Sequence, residues 1–234
     1  MKSAPLLSRR SDPAFSLVEL LSVIAVISLL TSMLIPAVSN LARGNDMSRA
    51  VSGVAGTLDL AREYAVSQNT YTWVVMAGSS EKAGIRAVIL GSKDGSNTAD
   101  GVTAVDLDGS QVYDLSSAGG NIVLLRKATL FPNVTIGALA SSPAPATPPS
   151  VEMNDEVSFR FAASSSEILG FLNANPTAQR VVQFSPNGQA RVSGSLVQSI
   201  ELGVKSLKGA TPDEVNACAI RLSGLTGQTQ VYRR

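Results

Sequence analysis

From Phe15 to Val38 the chain carries one charged side chain, Glu19, in an otherwise apolar stretch. At about 1.5 Å per residue, a helix over this stretch is roughly 36 Å long, enough for the hydrocarbon core of a bilayer. A carboxylate in such a segment is costly, about 2.5–3.5 kcal/mol at mid-membrane and less near an interface. Glu19 therefore calls for a partner, which an inert anchor would have no reason to need. The hydroxyls of Ser22, Ser28, Thr31 and Ser32 interrupt the run but can bond to preceding helix carbonyls. Pro36 lacks an N–H, so a bend is expected near residues 32–36.

The residues around Glu19 suggest what that partner is. Cutting between Ala14 and Phe15 would create a charged amine four residues before Glu19. Small residue, Phe, Glu four positions later and Pro36 at the twenty-second position after the cut together resemble the class III signal of type IV prepilins and type II secretion pseudopilins. The Gly usual before the cut in that family is replaced here by Ala14. The resemblance implies cleavage by a prepilin peptidase after Ala14, N-methylation of Phe15, and assembly with sibling pilins or pseudopilins through Glu19 and Pro36. An ordinary secretory signal peptide fits less well, because its cut follows a shorter apolar core. A plain signal anchor would leave Glu19 without a role.

The leader, residues 1–14, carries Lys2, Arg9 and Arg10 against Asp12. Positive charge flanking an apolar segment holds that side in the cytoplasm. The expected placement is thus a single pass through the bacterial inner membrane, with the N-terminus cytoplasmic and the remaining domain periplasmic or exterior.

Beyond the apolar run, Val51, Val54, Leu58, Ala61 and Ala65 are spaced as one helical stripe. Gly53 and Gly56 each cost about 1 kcal/mol relative to Ala in a helix interior, unless they permit close packing on a sheet. One long helix is expected over 15–68, transmembrane over 15–38, amphipathic over 46–68, and broken or bent near Pro36 and Gly44.

After Asn69 the pattern turns to short β-rich segments separated by turn residues. Residues 70–76 and 85–90 read as a hairpin. Residues 102–107 and 111–115 flank Asp108-Gly109, a turn dipeptide. Further strands are expected at 122–125, 134–136, 157–161, 180–184, 189–192, 200–204, 219–222 and 229–232. Pro143, Pro145, Pro148 and Pro149 mark 141–150 as an extended loop. Thr211-Pro212-Asp213-Glu214 has the pattern of a short helix start. The whole is expected to be an α+β protein, a long N-terminal transmembrane helix packed on an antiparallel β-rich domain over 69–234.

In the C-terminal third, Phe184-Ser185-Pro186-Asn187-Gly188, two later strands and Gly227-Gln228-Thr229-Gln230-Val231 resemble the globular domain of H-type minor pseudopilins and related minor pilins. Ser223-Gly224-Leu225-Thr226-Gly227-Gln228-Thr229 also resembles Verru/Chthon cassette protein D, a prepilin-like family. The resemblances cover the N-terminal helix and about the last 60 residues.

Composition excludes several chemistries. There is no histidine and one cysteine, Cys218, so no His-based nucleophile and no His- or thiolate-ligated zinc site can be built. No phosphate-binding Gly-x-x-x-x-Gly-Lys-Ser/Thr loop occurs. No catalytic residue, metal or cofactor is expected, and the chain is read as a non-enzyme. Net charge is +1, giving no general pull on nucleic acid. Two weaker candidates are Asp94 and Asp100, oxygen ligands for calcium in a polar loop, and Arg221, Arg233 and Arg234, a basic tip for DNA. The loop departs from the EF-hand pattern, with Ala99 and Val105 at the sixth and twelfth positions. Three function classes remain: an assembling pilus or pseudopilus subunit, a surface binding module for DNA or a secreted substrate, and an anchored protein that never assembles.

Overall fold

The computed structural model describes residues 16–78, 83–115, 120–153, 160–162, 172 and 179–233, without the side chains of 33–44, 152 and 160. Helix α1 covers Leu17–Ser67. Among the described residues twelve strands follow: β1 Thr72–Gly78, β2 Gly84–Ser92, β3 Val112–Asp114, β4 Ile122–Pro132, β5 Val134–Ile136, β6 Val151–Glu152, β7 Arg160–Ala162, β8 Arg180–Phe184, β9 Ala190–Arg191, β10 Ser199–Lys208, β11 Thr211–Ser223 and β12 Thr229–Arg233. The chain divides into two compact units, residues 1–42 and 43–234.

That division corrects the expected fold and placement. The chain is predominantly strand, not an α+β protein organised on one long transmembrane helix. Its helical residues are shared between two units, and α1 runs as one helix from Leu17 to Ser67, without the break expected near Pro36 and Gly44. Among the described residues no helix is long and apolar enough to cross a membrane. A single-pass inner-membrane placement with a cytoplasmic N-terminus is therefore not supported.

In the second unit the amphipathic part of α1 packs as its spacing dictates. Met47, Ala50, Val51, Val54, Leu58, Ala61 and Ala65 are all buried in one apolar cluster. The helix ends with Asn69 in the left-handed region (φ 50). The Asn69 N–H donates to Val66 O, and the Thr70 N–H donates to Ala65 O at 2.9 Å. This pair of bonds is a Schellman cap, with asparagine where glycine is more usual. Thr72 Oγ1 then donates to Ala61 O at 3.0 Å, fastening β1 to the helix.

The first sheet has the order β4-β2-β1-β8-β9. Its centre is the expected hairpin, with Val74 opposite Ile89. The run Trp73-Val74-Val75-Met76-Ala77 is buried throughout, because both faces of this sheet are covered. Val74 and Met76 join the helix cluster. Trp73 and Val75 join a second cluster with Tyr113, Phe161 and Leu172. There the Trp73 and Phe161 rings meet edge-on at 6.2 Å, a favourable aromatic geometry.

The second sheet has the order β12-β11-β10-β5, with β6 also paired to β10. Ile200, Leu202, Val204, Cys218, Ile220 and Leu222 point into the helix cluster. Ser199, Glu201 and Arg221 lie on the alternate positions, as strand period requires.

Two local expectations are corrected. Residues 211–214 do not start a helix: they begin β11, with Leu207 opposite Pro212 and Ser206 opposite Asp213. The acidic residues that suggest a cap instead pair across strands, Asp213 with Lys208 at 2.9 Å and Glu214 with Lys205. Residues 102–107 and 111–115 do not form a hairpin around Asp108-Gly109. Only a single bridge, Thr98 to Ala104, forms there, and β3 pairs in parallel with β7.

Gly53 and Gly56 of α1 have opposite roles. A Cβ at Gly53 would sit 2.4 Å from Phe131 Cε1, whereas one at Gly56 would meet nothing within 4 Å. Gly53→Ala should therefore destabilise by about 1–3 kcal/mol through overpacking, and Gly56→Ala should stabilise by up to about 1 kcal/mol through helix propensity. Denaturant unfolding of the two variants checks this contrast. Equal effects of the same sign would show that Phe131 does not press on the helix.

Candidate functional site

The side chains most in need of a partner lie in the first unit. From Leu17 to Leu30 every large apolar side chain of α1 is at least half exposed, from 52% at Val23 to 80% at Leu17. The hydroxyls within this run turn inward: Ser22 Oγ donates to Glu19 O at 2.8 Å, Ser28 Oγ to Ile24 O at 2.7 Å, Thr31 Oγ1 to Ile27 O at 2.8 Å, and Ser32 Oγ to Leu29 O at 2.7 Å. Their polarity is thus satisfied within the helix. The outward surface is hydrocarbon on all sides, with Glu19 the one charge on the described part of this run.

Glu19 has a local explanation that hydropathy alone does not reveal. Helical residues begin at Leu17, and Ser16 O accepts from the N–H groups of Glu19 and Leu20 at 3.0 and 3.1 Å. Ser16 is therefore the cap residue and Glu19 the third helical position, the spacing of a Ser-x-x-Glu capping box. A carboxylate in the first turn is favoured by the helix dipole, typically by about 0.3–1 kcal/mol. Glu19 thus sits at a helix start and not within a span. Ala14 and Phe15, the expected processing site, lie outside the described residues, as does the side chain of Pro36.

The calcium candidates are separate and already engaged. Asp94 Oδ1 accepts from Ser96 N at 2.8 Å, Ser96 Oγ at 2.6 Å, Ser92 Oγ at 2.9 Å and Asn121 Nδ2 at 2.7 Å. Asp100 accepts from the N–H groups of Val102 and Thr103 at 3.1 and 2.6 Å. Asp106 and Asp108 accept the N–H groups of Asp108 and Gly194 at 3.0 and 2.9 Å. One oxygen of each of these carboxylates is therefore already taken by protein donors, where calcium would compete for it. Among the described residues no group of three or more acidic or thiol side chains could hold a metal ion. The loop is instead folded around the buried Asn121, whose side chain also donates to Thr98 O at 2.9 Å.

Of the three arginines proposed as a basic tip, two lie among the described residues, and Arg221 is not at a surface. Arg221 is buried and paired with Glu201 at 3.2 Å, their side chains 8% and 5% exposed. Its Nη2 also donates to Pro145 O at 2.6 Å, tying the Pro-rich loop to the second sheet. Arg233 is exposed on β12 and donates to Ser48 Oγ at 3.3 Å. Arg234 lies outside the described residues.

Compared with known protein families, with characterised sequences and with solved structures, the chain matches none.

The bonds from Ser96, foremost, and from Ser92 and Asn121 hold the Asp94 carboxyl below its ordinary value of 3.8. A depressed pKa adds stability above the unfolded value, which is lost as pH falls through the folded one. Loop stability should therefore persist as pH drops through 4 and fail only in stronger acid. In Ser96→Ala the Asp94 midpoint, read by carboxyl NMR, should rise toward 3.8. Calcium should leave the amide shifts of residues 92–100 unchanged. A calcium-dependent shift there would overturn the reading of these carboxylates as loop acceptors.

Proposed function

We propose that this chain is a prepilin-like minor subunit that a prepilin peptidase cuts between Ala14 and Phe15, and that joins sibling subunits of a type II secretion pseudopilus or type IV pilus-like fibre through its N-terminal helix. Its role is assembly, not catalysis. The observation that carries the reading is the helix surface from Leu17 to Leu30, apolar on every side with its hydroxyls turned inward. An amphipathic helix needs one covering face, but a helix that is hydrophobic all round needs apolar neighbours all round. Sibling helices in a bundle supply them. Removing each such side chain from water contributes roughly 1.5–3 kcal/mol, before the entropy of association is subtracted.

Glu19 then has a second task beyond its place in the first turn of the helix. In a bundle its carboxylate can meet the Phe15 amine of a neighbouring subunit, and the low dielectric strengthens the attraction. The chain's own amine, four residues away, is the competing partner. Pairing between subunits fixes their axial register, so a subunit joins only where its amine reaches a carboxylate. The second unit, residues 43–234, has its own core and is the cargo of this helix.

The DNA-binding alternative loses its main residue, since Arg221 is committed to Glu201 and the Pro-rich loop.

The test has two readouts in cells that hold the prepilin peptidase and sibling subunits. N-terminal sequencing should give Phe15 as the first residue for both the wild type and Glu19→Val. Crosslinks between single-cysteine helices, in a Cys218→Ser background, should form in the wild type and be lost in Glu19→Val, since stranding one member of a buried pair typically costs about 3–5 kcal/mol. Undiminished crosslinks in the variant, or a mature start elsewhere, would overturn the proposal.

A further inference from the structure

The outer face of the second sheet, turned away from the helix cluster, holds a cleft of about 340 Å³ within residues 147–232. Its floor is Ser199 of β10 with Arg221 and Ser223 of β11. One wall is Gln228, Gln230 and Tyr232, and the opposite one is Thr147 and Pro148 of the Pro-rich loop. The loop is held in place from below. Arg221 Nη2 donates to Pro145 O, and Ser150 Oγ donates to Glu201 Oε2 at 3.3 Å.

Two atoms in this floor stand out. Arg221 Nε and Ser199 Oγ are buried and have no hydrogen-bond partner among the described residues, on residues 7% and 2% exposed. A buried donor without a partner is disfavoured, and native structures rarely leave one without a reason. Both residues line the same cleft. This coincidence is what makes the cleft more than a surface groove.

The lining defines the chemistry of what fits. Among the described residues Arg221 is the one charged side chain lining it, and Glu201 neutralises it at 3.2 Å. The cleft therefore offers an anion no net field. Its remaining groups are amides and hydroxyls. Gln198, Gln228 and Gln230 are exposed at its rim, and each amide presents a donor and an acceptor side by side. Such a pair matches two adjacent hydroxyls. Tyr232 adds an aromatic ring, ordered by the Arg221 guanidinium 5.7 Å from its centroid and by its own hydroxyl donating to Gln230 Oε1 at 2.6 Å. Aromatic faces pack against C–H surfaces while amides and hydroxyls fix orientation.

We propose that this cleft binds a neutral saccharide, with Arg221 Nε and Ser199 Oγ bonding its oxygens from the floor and the glutamine amides and the Tyr232 ring holding it from the rim. A peptide adding a strand would need a free sheet edge, whereas this cleft opens on a sheet face. The inference does not depend on assembly, because every lining residue belongs to the second unit.

The test uses the full chain in a detergent without a sugar headgroup. The probes are maltose, cellobiose, lactose and diacetylchitobiose, with glucuronate and a blocked trialanine peptide as comparisons, followed by NMR. At least one neutral disaccharide should bind saturably and shift the Arg221 Nε–H resonance. Gln228→Ala and Gln230→Ala, both at exposed positions, should each weaken that binding about tenfold, the loss of one net hydrogen bond. Lys127→Ala, on the first sheet, should leave it unchanged. Binding of none of the disaccharides, binding of glucuronate or the peptide alone, or binding that both glutamine variants retain in full would overturn the proposal.

Discussion

The second unit depends on one contact, the apolar stripe of α1 lodged between two sheets. Val51, Val54, Leu58 and Ala61 are fully buried. They share one cluster with Val74, Val182 and Phe184 of the first sheet and with Ile200, Leu202 and Ile220 of the second. The inner faces of both sheets therefore meet through the helix. Small residues make this close approach possible: Ala61 and Ala65 lie at the contact, and Gly53 leaves space for the Phe131 ring. Large-to-small or small-to-large changes in such a layer are felt because the interior is close-packed.

Once the helix occupies the inner faces, the outer faces take different solutions. The first sheet covers its outer face with a second apolar cluster, Trp73 and Val181 against Tyr113, Phe161 and Leu172. Buried Gln179 supports this cover, donating to Phe161 O and Leu172 O at 2.8 Å each. The second sheet keeps a polar outer face. There Glu201 and Arg221 stand opposite each other in register across β10 and β11 as a buried pair, and Arg221 holds the Pro-rich loop that walls the cleft. Such a pair contributes little net stability relative to an apolar substitute, but losing one member strands the other. Its effect here is positional: it sets where the loop lies.

Features with a short-range cause are legible in the sequence. Periodicity alone gives the helix stripe from Val51 to Ala65 and the hairpin of β1 and β2, and side-chain chemistry gives the inward-turned hydroxyls at Ser22, Ser28, Thr31 and Ser32. Features decided by long-range pairing are not legible. Thr211–Glu214 carries every local sign of a helix start, yet pairing with β10 and two lysines overrides it. Asp108-Gly109 is a strong turn signal, but β3 finds its partner in β7, far along the chain. Among the candidate site residues, Asp94 and Asp100 do lie in a polar loop. Its partners Ser92 and Ser96 are local, but nothing local reveals that Asn121, more than twenty residues away, also donates to Asp94. Arg221 looks like a surface charge in sequence because its partner Glu201 lies on the neighbouring strand. The first-turn position of Glu19, three residues after Ser16, is local and readable, but the hydropathy of the adjoining apolar run masks it.

The central claim is that the stripe of α1, and not the strands alone, makes residues 43–234 a folded body. Thermal unfolding of two truncated chains tests it most directly, one beginning at Arg43 and one at Asn69. The longer chain should unfold in a single cooperative transition. The shorter one, with both inner sheet faces uncovered, should show no cooperative transition. A chain beginning at Asn69 that melts as sharply and at the same temperature as the longer one would contradict the account.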